Sequence, residues 1–227
     1  MSYLLRLVVP DKPGVLGAVA TALGIAGIDI VSLDVLERGN GVAVDDIVVD
    51  LPAGRLPDSL ITAAHTVAGV TVESLRPFAG PLDTHRELEL LDALARAAEG
   101  TSAKLLAAEL PRVFHSGWAV VLSSLDASSS GREAWEIAAS SEAAPTFEGL
   151  ILPWMPLPGP RLLPSEDDWL PERWRDMAIE MMAAPYGAPG CAVVLGRSGG
   201  PAFRRSELLR LAHLTGIATT VASLPPI

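Results

Sequence analysis

A short polar turn near the start of the chain carries the residues whose chemistry is most readily interpreted. The run from Asp11 to Leu16 (DKPGVL) separates an apolar stretch, residues 3–9, from a segment with helical spacing. We expect Asp11 to cap the first N–H groups of that helix, Pro13 to occupy its first turn, and Gly14 to permit close approach to the backbone. A helix N-terminus with free N–H donors attracts anions. The turn is therefore a predicted site for a carboxylate or another anion.

The elements that must position this turn follow from the spacing of apolar residues. Residues 3–9 alternate as a strand does, and Leu16, Val19, Ala20 and Leu23 share one helix face. A second strand is predicted over residues 28–37, followed by a Gly- and Asn-rich hairpin turn and a third strand over residues 42–51. A second helix and a strand over residues 70–75 complete two βαβ-like halves. This order predicts a ferredoxin-like βαββαβ fold.

The first third of the chain resembles an ACT domain. The resemblance rests on the strand, the DKPGVL turn, the Ala-rich helix and the GIDIVS run at residues 27–32. It implies a small βαββαβ regulator that binds an amino acid at a dimer interface, with the ligand carboxylate at the helix N-terminus and its ammonium on Asp11 or Asp29. ACT-like sites often place Asn where Asp29 stands. An empty module used only for dimerisation is the alternative. The implied ligand-binding residues are Asp11, Lys12, Gly14, Val15, Leu16, Asp29, Ile30 and Ser32.

A homodimer is expected from the same fold. A four-stranded sheet of this kind leaves an edge and one face uncovered, and pairing two copies side by side buries both. A ligand bound across that junction would stabilise the dimer by linkage.

A second domain is predicted after a Pro/Gly-rich boundary. We assign residues 1–78 to the ACT-like domain, residues 79–84 to a linker and residues 85–227 to the second domain. Thr84 to Glu87 has the capping-box pattern, and a second helix runs through residues 105–110. Strands are predicted over residues 118–125, 133–140, 177–184 and 190–197, with a turn over residues 126–132 and a final helix after Ser206. The first helix is predicted to bury the face formed by Leu88, Leu91, Ala95 and Ala98.

This second segment resembles a GAF domain. The resemblance covers roughly residues 85–223 and depends mainly on the VVLGR strand at 193–197, Phe203 and the SELL run at 206–209. It implies a central antiparallel sheet flanked by helices, often with a small-molecule pocket under a variable middle. The predicted fold class is thus α+β, an ACT domain followed by a GAF-like domain. The tryptophans of that middle, Trp154, Trp169 and Trp174, either form a lid over a ligand or fill the core.

Composition and charge exclude several classes of function. The chain has 227 residues, of which 49% are hydrophobic, and a net charge of −10. An acidic balance opposes binding to nucleic acid. No apolar run reaches the ~18–20 residues that span a bilayer, and residues 3–9 do not form a signal peptide. We therefore expect a cytoplasmic protein without membrane association. Cys191 is the single cysteine, the four histidines are scattered, and neither a metal site nor a cofactor is expected.

Other polar clusters have plainer interpretations. Asp34, Asp45, Asp46 and Asp50 suggest a cation site, but strand alternation separates Asp45 from Asp46 and Asp50, so a solvated face is favoured. The serine run at 128–130 lacks the Gly-x-Ser-x-Gly pattern and has no assignable partners for a catalytic triad. The glycines between 196 and 200 lack a phosphate-loop motif and are interpreted as a turn.

These patterns predict a non-enzymatic regulatory protein. It would bind a small ligand, most simply an amino acid, through the ACT-like domain of a homodimer, and a separate effector protein would receive the signal. Two alternatives remain. One is a structural adaptor dimer without a ligand, and the other is an enzyme whose site lies in the Trp-rich second domain.

Overall fold

A computed structural model describes residues 1–78, 85–98, 100–125, 134–147 and 149–222. The chain divides into two compact units, Met1–Asp83 and Thr84–Ile227. The predicted linker at 79–84, the predicted turn at 126–132 and its serines lie outside the described residues.

The first unit is a four-stranded sheet with two helices. In chain order its elements are β1 (Ser2–Pro10), α1 (Val15–Ile25), β2 (Asp29–Gly39), β3 (Val42–Asp50), α2 (Asp58–His65) and β4 (Thr71–Pro77). The strand order is β2-β3-β1-β4, and all three strand pairs are antiparallel. The predicted βαββαβ order is confirmed. Edge strands β2 and β4 each leave one side without a partner strand in the sheet.

The core of this unit lies between the sheet and the helices. Alternate residues of β1 and β3 point to the same side and meet the apolar faces of α1 and α2. Burial of each large apolar side chain contributes roughly 1.5–3 kcal/mol. The two α1 residues that are fully buried are Val19 and Leu23, whereas the expected Leu16 is half-buried and Ala20 is exposed. The remaining core includes Leu5, Leu7, Ile47, Val49, Leu60 and Ala64.

The sheet face opposite the helices carries apolar side chains around a buried ion pair. Leu4, Val44 and Val48 lie on that side and are at most 5% exposed. Between them, Arg6 Nε and Nη2 donate to the two carboxylate oxygens of Asp46 at 2.7 and 2.8 Å. The prediction of a solvated acidic face is therefore wrong for Asp46, because an arginine directly across the ladder neutralises it.

The second unit has a five-stranded antiparallel sheet. Its strand order is β6-β5-β9-β8-β7, with β8 and β9 forming the predicted hairpin. The fold class is therefore confirmed as α+β, with a four-stranded sheet domain followed by a second domain of sheet and helices, while the GAF resemblance stays a prediction. The elements are α3 (Arg86–Ala95), α4 (Ser102–Val113), β5 (Trp118–Leu125), β6 (Ala134–Ser140), β7 (Arg161–Leu163), α5 (Glu172–Asp176), β8 (Ile179–Pro185), β9 (Ala192–Ser198) and α6 (Arg205–Ala222).

Helices α3, α4 and α6 cover one face of this sheet. The predicted buried face of α3 is wrong for Leu88, which is exposed, whereas Leu91 packs against the core as expected. Leu90 and Leu94, which were not part of the predicted face, are buried in that core. Thr84, the first residue of the predicted capping box, lies outside the described residues, and Glu87 pairs with Arg210 of α6.

Aromatic residues fill the other face of the sheet. Trp118 of β5 contacts Phe147 edge-on, with ring centroids 5.6 Å apart, and meets Trp174 at a tilt of 57° with centroids 6.3 Å apart. Gly196 lies across the strand from Trp118, and a Cβ there would lie 2.0 Å from the indole ring. Trp154 and Trp174 are buried, so these two side chains fill a core.

No helix in the described part of the chain is both long and apolar enough to cross a membrane.

Candidate functional site

The Asp11–Leu16 turn is hydrogen-bonded to the hairpin that joins β2 and β3. After β1 ends, the Asp11 N–H donates to the Gly41 carbonyl at 2.9 Å, and the Lys12 N–H donates to the Pro10 carbonyl at 2.8 Å. Helix α1 begins at Val15, so Pro13 precedes the helix and does not occupy its first turn as expected. The turn is thus held to the end of the sheet where β2 passes into β3.

Gly14 has a conformational role at this turn. Its φ is +90°, a left-handed value that residues with a Cβ rarely adopt. A Cβ built there meets no atom within 4 Å. None of the described atoms comes that close to Gly14, and the glycine is needed because the turn requires a positive φ.

Asp11 pairs with an arginine and does not cap the helix. No side chain caps α1. Instead Arg38, at the end of β2, donates through Nη2 to Asp11 Oδ1 at 2.5 Å and through Nε to both oxygens at 3.2 Å. The hydrogen-bonded carboxylate raises the pKa of Arg38. The capping prediction is wrong because Asp11 reaches sideways to β2, and the N–H groups that open α1 stay without a side-chain acceptor.

Asp45 places a second carboxylate in this region. It lies on β3 opposite Leu7 and Val35, on the same side as the core residues Ala43 and Ile47. Asp45 is 2% exposed, and its Oδ1 has no hydrogen-bond partner among the described residues. Burial raises the pKa of the Asp45 carboxyl, with a further increase from Asp46, a smaller one from Asp11 and an opposing effect of Arg38.

The site therefore combines charges of both signs with apolar surroundings. The Asp11–Arg38 pair lies at its rim, and Asp45 lies within electrostatic range of both residues. The expectation that Asp45 belongs to a solvated face is wrong, because strand alternation turns it toward the helices. A buried carboxylate next to an accessible guanidinium suits a ligand that carries both an ammonium and a carboxylate.

The structure brings some predicted site residues together and separates others. Gly14, Val15 and Leu16 adjoin Asp11 at the turn, and Lys12 is exposed there. Asp29, Ile30 and Ser32 begin β2, where Asp29 pairs with Asp50 and Ser32 pairs with Val48. About 27 Å of β3 separates that end of the sheet from the turn, at roughly 3.4 Å per residue. One chain alone thus does not bring Asp29 to Asp11.

Arg38 and Asp45 were not predicted as site residues. Arg38 stands in a segment interpreted only as a hairpin turn, and Asp45 was grouped with exposed acids. The alternation Ala43-x-Asp45-x-Ile47 contains a signal, since it places a carboxylate in line with core positions. Only the pairing of Asp45 with Leu7 of β1 and Val35 of β2 shows where in the sheet this carboxylate lies.

Within the described ranges, no group of three or more histidine, cysteine, aspartate or glutamate side chains is arranged to hold a metal ion.

Comparison with known families identifies the first unit. The family model of the ACT domain matches residues 3–69. The first unit thus carries an ACT domain, and ACT domains are small ligand-binding regulatory modules. The match ends before β4 and does not extend to the second unit.

Three solved structures are similar to parts or most of the chain at low identity. A formyltetrahydrofolate deformylase from Pseudomonas putida KT2440 is 14% identical over 41% of this chain and 37% of its own, with a TM-score of 0.28. GqqA, described as a novel type of quorum quenching acylase, is 18% identical over 34% and 43% respectively, with a TM-score of 0.25. An unknown protein from Galdieria sulphuraria is 12% identical over 97% and 90%, with a TM-score of 0.31.

The aligned part thus spans less than half of the deformylase and of the acylase. No curated protein sequence matches this chain.

Proposed function

We propose that this chain is a non-enzymatic regulatory protein that binds an amino acid at the Asp11 turn of its ACT domain. The observation that carries the proposal is the buried Asp45 carboxylate, whose Oδ1 lacks a partner among the described residues beside the Asp11–Arg38 pair. A buried polar atom without a partner is costly to stability. Such a group is expected to persist where a ligand satisfies it.

The charges assign complementary roles to the two ends of the ligand. The side chain of Arg38 is 65% exposed, so its guanidinium is accessible to a ligand carboxylate and forms paired hydrogen bonds with such a group. The N–H groups that open α1 favour the same anion. The ligand ammonium would then lie toward Asp45, with Asp11 shared between ammonium and guanidinium. This arrangement selects a zwitterion over an amine or a carboxylate alone.

The separation of Asp29 from Asp11 supports a site shared between two copies. β2 is an edge strand that runs from Asp29 to Gly39, so its two ends lie at opposite ends of the sheet. If two β2 edges pair antiparallel, the Asp29 end of one copy meets the Gly39 end of the other. The predicted residues Asp29, Ile30 and Ser32 would then join the turn of the second copy, which suits a homodimer whose ligand bridges the copies and whose signal passes to a separate effector.

Calorimetric and thermal-shift screens of the full chain with the twenty amino acids test the proposal. We expect one or a few to bind and to raise Tm. Asp45→Asn and Arg38→Gln should each weaken binding by about tenfold or more, since each removes a charge-assisted hydrogen bond to the ligand. Asp34→Asn is the matched control, because Asp34 is an exposed aspartate that pairs with Asp46, one residue along β3 from Asp45. That variant should bind as the parent chain does.

Two results would contradict the proposal. If no amino acid binds to folded, dimeric protein, the adaptor alternative is favoured. If an amino acid binds but Asp45→Asn and Asp34→Asn respond alike, the ligand lies elsewhere on the chain. Turnover of a bound amino acid would instead identify an enzyme.

A further inference from the structure

A second candidate site lies between helices α1 and α2. Helices α1 and α2 flank an open groove of about 750 Å³, within the ~300–1,000 Å³ typical of small-molecule pockets. None of the residues predicted for amino-acid binding lines it. The lining residues are Ala18, Thr21, Ala22, Ile25 and Ala26 from α1 and the adjoining residue, and Arg55, Ser59, Thr62, Ala63, Thr66 and Val67 from α2 and its flanks.

The walls of the groove are effectively apolar despite four hydroxyl groups. Each hydroxyl donates to a backbone carbonyl of its own segment at 2.7–3.0 Å, so none has a proton to offer a ligand. The threonine methyls and the alanines remain to line the space. The four donors are Thr21 to Gly17, Ser59 to Leu56, Thr62 to Asp58 and Thr66 to Ala63.

Arg55 gives the groove its polarity. Among the described lining residues it alone carries a charge, and no acidic side chain pairs with it in the part of the chain that the structure describes. Its place along the groove follows from strand register. Asp29 pairs with Asp50, so the end of α1 and the start of α2 lie at the same end of the sheet. Arg55 precedes α2 and therefore lies at the Ile25 end of the groove.

We propose that this groove binds a small carboxylate with an extended apolar body, such as a medium-chain fatty acid. Arg55 takes the carboxylate at one end, and the apolar body lies along the alanine and threonine methyls toward Val67. The stretch from Ala18 to Ala26 is about 12 Å long, at 1.5 Å per residue. Charge complementarity favours an anion, and the absence of hydroxyl donors in the described walls disfavours sugars and other polyols.

Titration calorimetry with decanoate below its micellar concentration tests the site on the full chain. Decyltrimethylammonium and decanol carry the same apolar chain with a positive charge and with no charge. We expect decanoate to bind most tightly. Arg55→Gln should weaken decanoate binding about fivefold, as for an exposed ion pair, and leave decanol unchanged.

A pair of phenylalanine substitutions on α2 locates the site. Thr62 is exposed and lines the groove, so Thr62→Phe should fill it and abolish binding of both decanoate and decanol. His65 is equally exposed on the same helix but does not line the groove, so His65→Phe should bind as the parent chain does.

Three outcomes would overturn the proposal. One is no binding of decanoate, and the second is equal binding of decanoate and decyltrimethylammonium. The third is a change of oligomeric state in Thr62→Phe without decanoate, measured by light scattering, which would identify the groove as a contact between copies. Loss of amino-acid binding at the Asp11 turn would not affect this test, because the two sites share no residue.

Discussion

Arg38 donates to both carboxylate oxygens of Asp11 and thereby joins the end of β2 to the turn that precedes α1. The pair is partly exposed on both sides. The buried Asp45 carboxylate lies within electrostatic range of both residues. An exposed ion pair and a carboxylate that is shielded from solvent therefore act on one another at this end of the sheet.

The Arg38 pair is expected to matter for ligand binding more than for stability. Exposed ion pairs are screened by water and salt, so Arg38→Gln should change the Tm of the full chain little. Its amino-acid affinity should fall about tenfold or more. Calorimetry and thermal unfolding at low and high salt measure both quantities. A large loss of Tm that persists at high salt would show that the pair mainly holds the turn in place.

Asp45 is expected to destabilise the free protein near neutral pH. Because the pKa of its carboxyl is raised by folding, the folded chain binds more protons than the unfolded chain between the two pKa values. The free energy of unfolding therefore falls as pH rises through that interval, which begins near the ordinary aspartate value of about 3.9. Asp45→Asn should raise the free energy of unfolding at pH 7 by on the order of 1 kcal/mol.

Urea unfolding across pH checks the expectation for Asp45. The increase in the free energy of unfolding caused by Asp45→Asn should disappear at acidic pH, because the Asp45 carboxyl of the parent chain is then neutral too. Asp34→Asn, at an exposed position on β2, should show no comparable pH-dependent gain. If Asp45→Asn is less stable than the parent at neutral pH, the charged form of Asp45 is favoured by the fold and the unpartnered oxygen is not a cost.

Gly14 and Gly17 form a matched pair at the start of α1. Gly14 has a φ of +90°, whereas Gly17 lies within the helix, and a Cβ at either position meets no atom within 4 Å. Gly14→Ala should lower the free energy of unfolding by about 1–2 kcal/mol because of the left-handed backbone. Gly17→Ala should raise it by about 0.5–1 kcal/mol through helix propensity. Denaturant titrations compare the two, and equal effects would refute the conformational explanation for Gly14.

The buried Arg6–Asp46 pair should show strong coupling. Asp46→Leu leaves the arginine charge buried with reduced compensation, and such changes cost about 3–5 kcal/mol. The double variant Arg6→Met with Asp46→Leu should recover most of that loss, since apolar replacements of a buried pair are often neutral. Arg96→Met removes one member of an exposed pair with Asp92 and should have no measurable effect. Additive losses in the double variant would exclude direct coupling.

Much of the first unit could be predicted because its signals are local. The alternation from Tyr3 to Val9 and the glycine at position 14 depend only on neighbouring residues. The hairpin turn at Asn40 and Gly41 is also a local signal, because asparagine and glycine tolerate the positive φ that both residues adopt. Local signals also predicted the β8–β9 hairpin of the second unit. They did not predict β7 and α5, which lie in a Pro-rich segment without a regular period.

The sequence by itself determined that the first unit is a βαββαβ domain in which the Asp11–Leu16 turn joins the first strand to the first helix. Tertiary structure decided which charged groups share that turn. Asp11 pairs with Arg38 because the β2–β3 hairpin ends next to the turn that follows β1, and Asp45 is buried because its register turns it toward the helices. Arg6 pairs with Asp46, forty residues away in the sequence, because the register of β1 and β3 places them opposite each other. Spacing along the chain specifies local conformation, whereas the neighbours of a charge depend on register between distant strands.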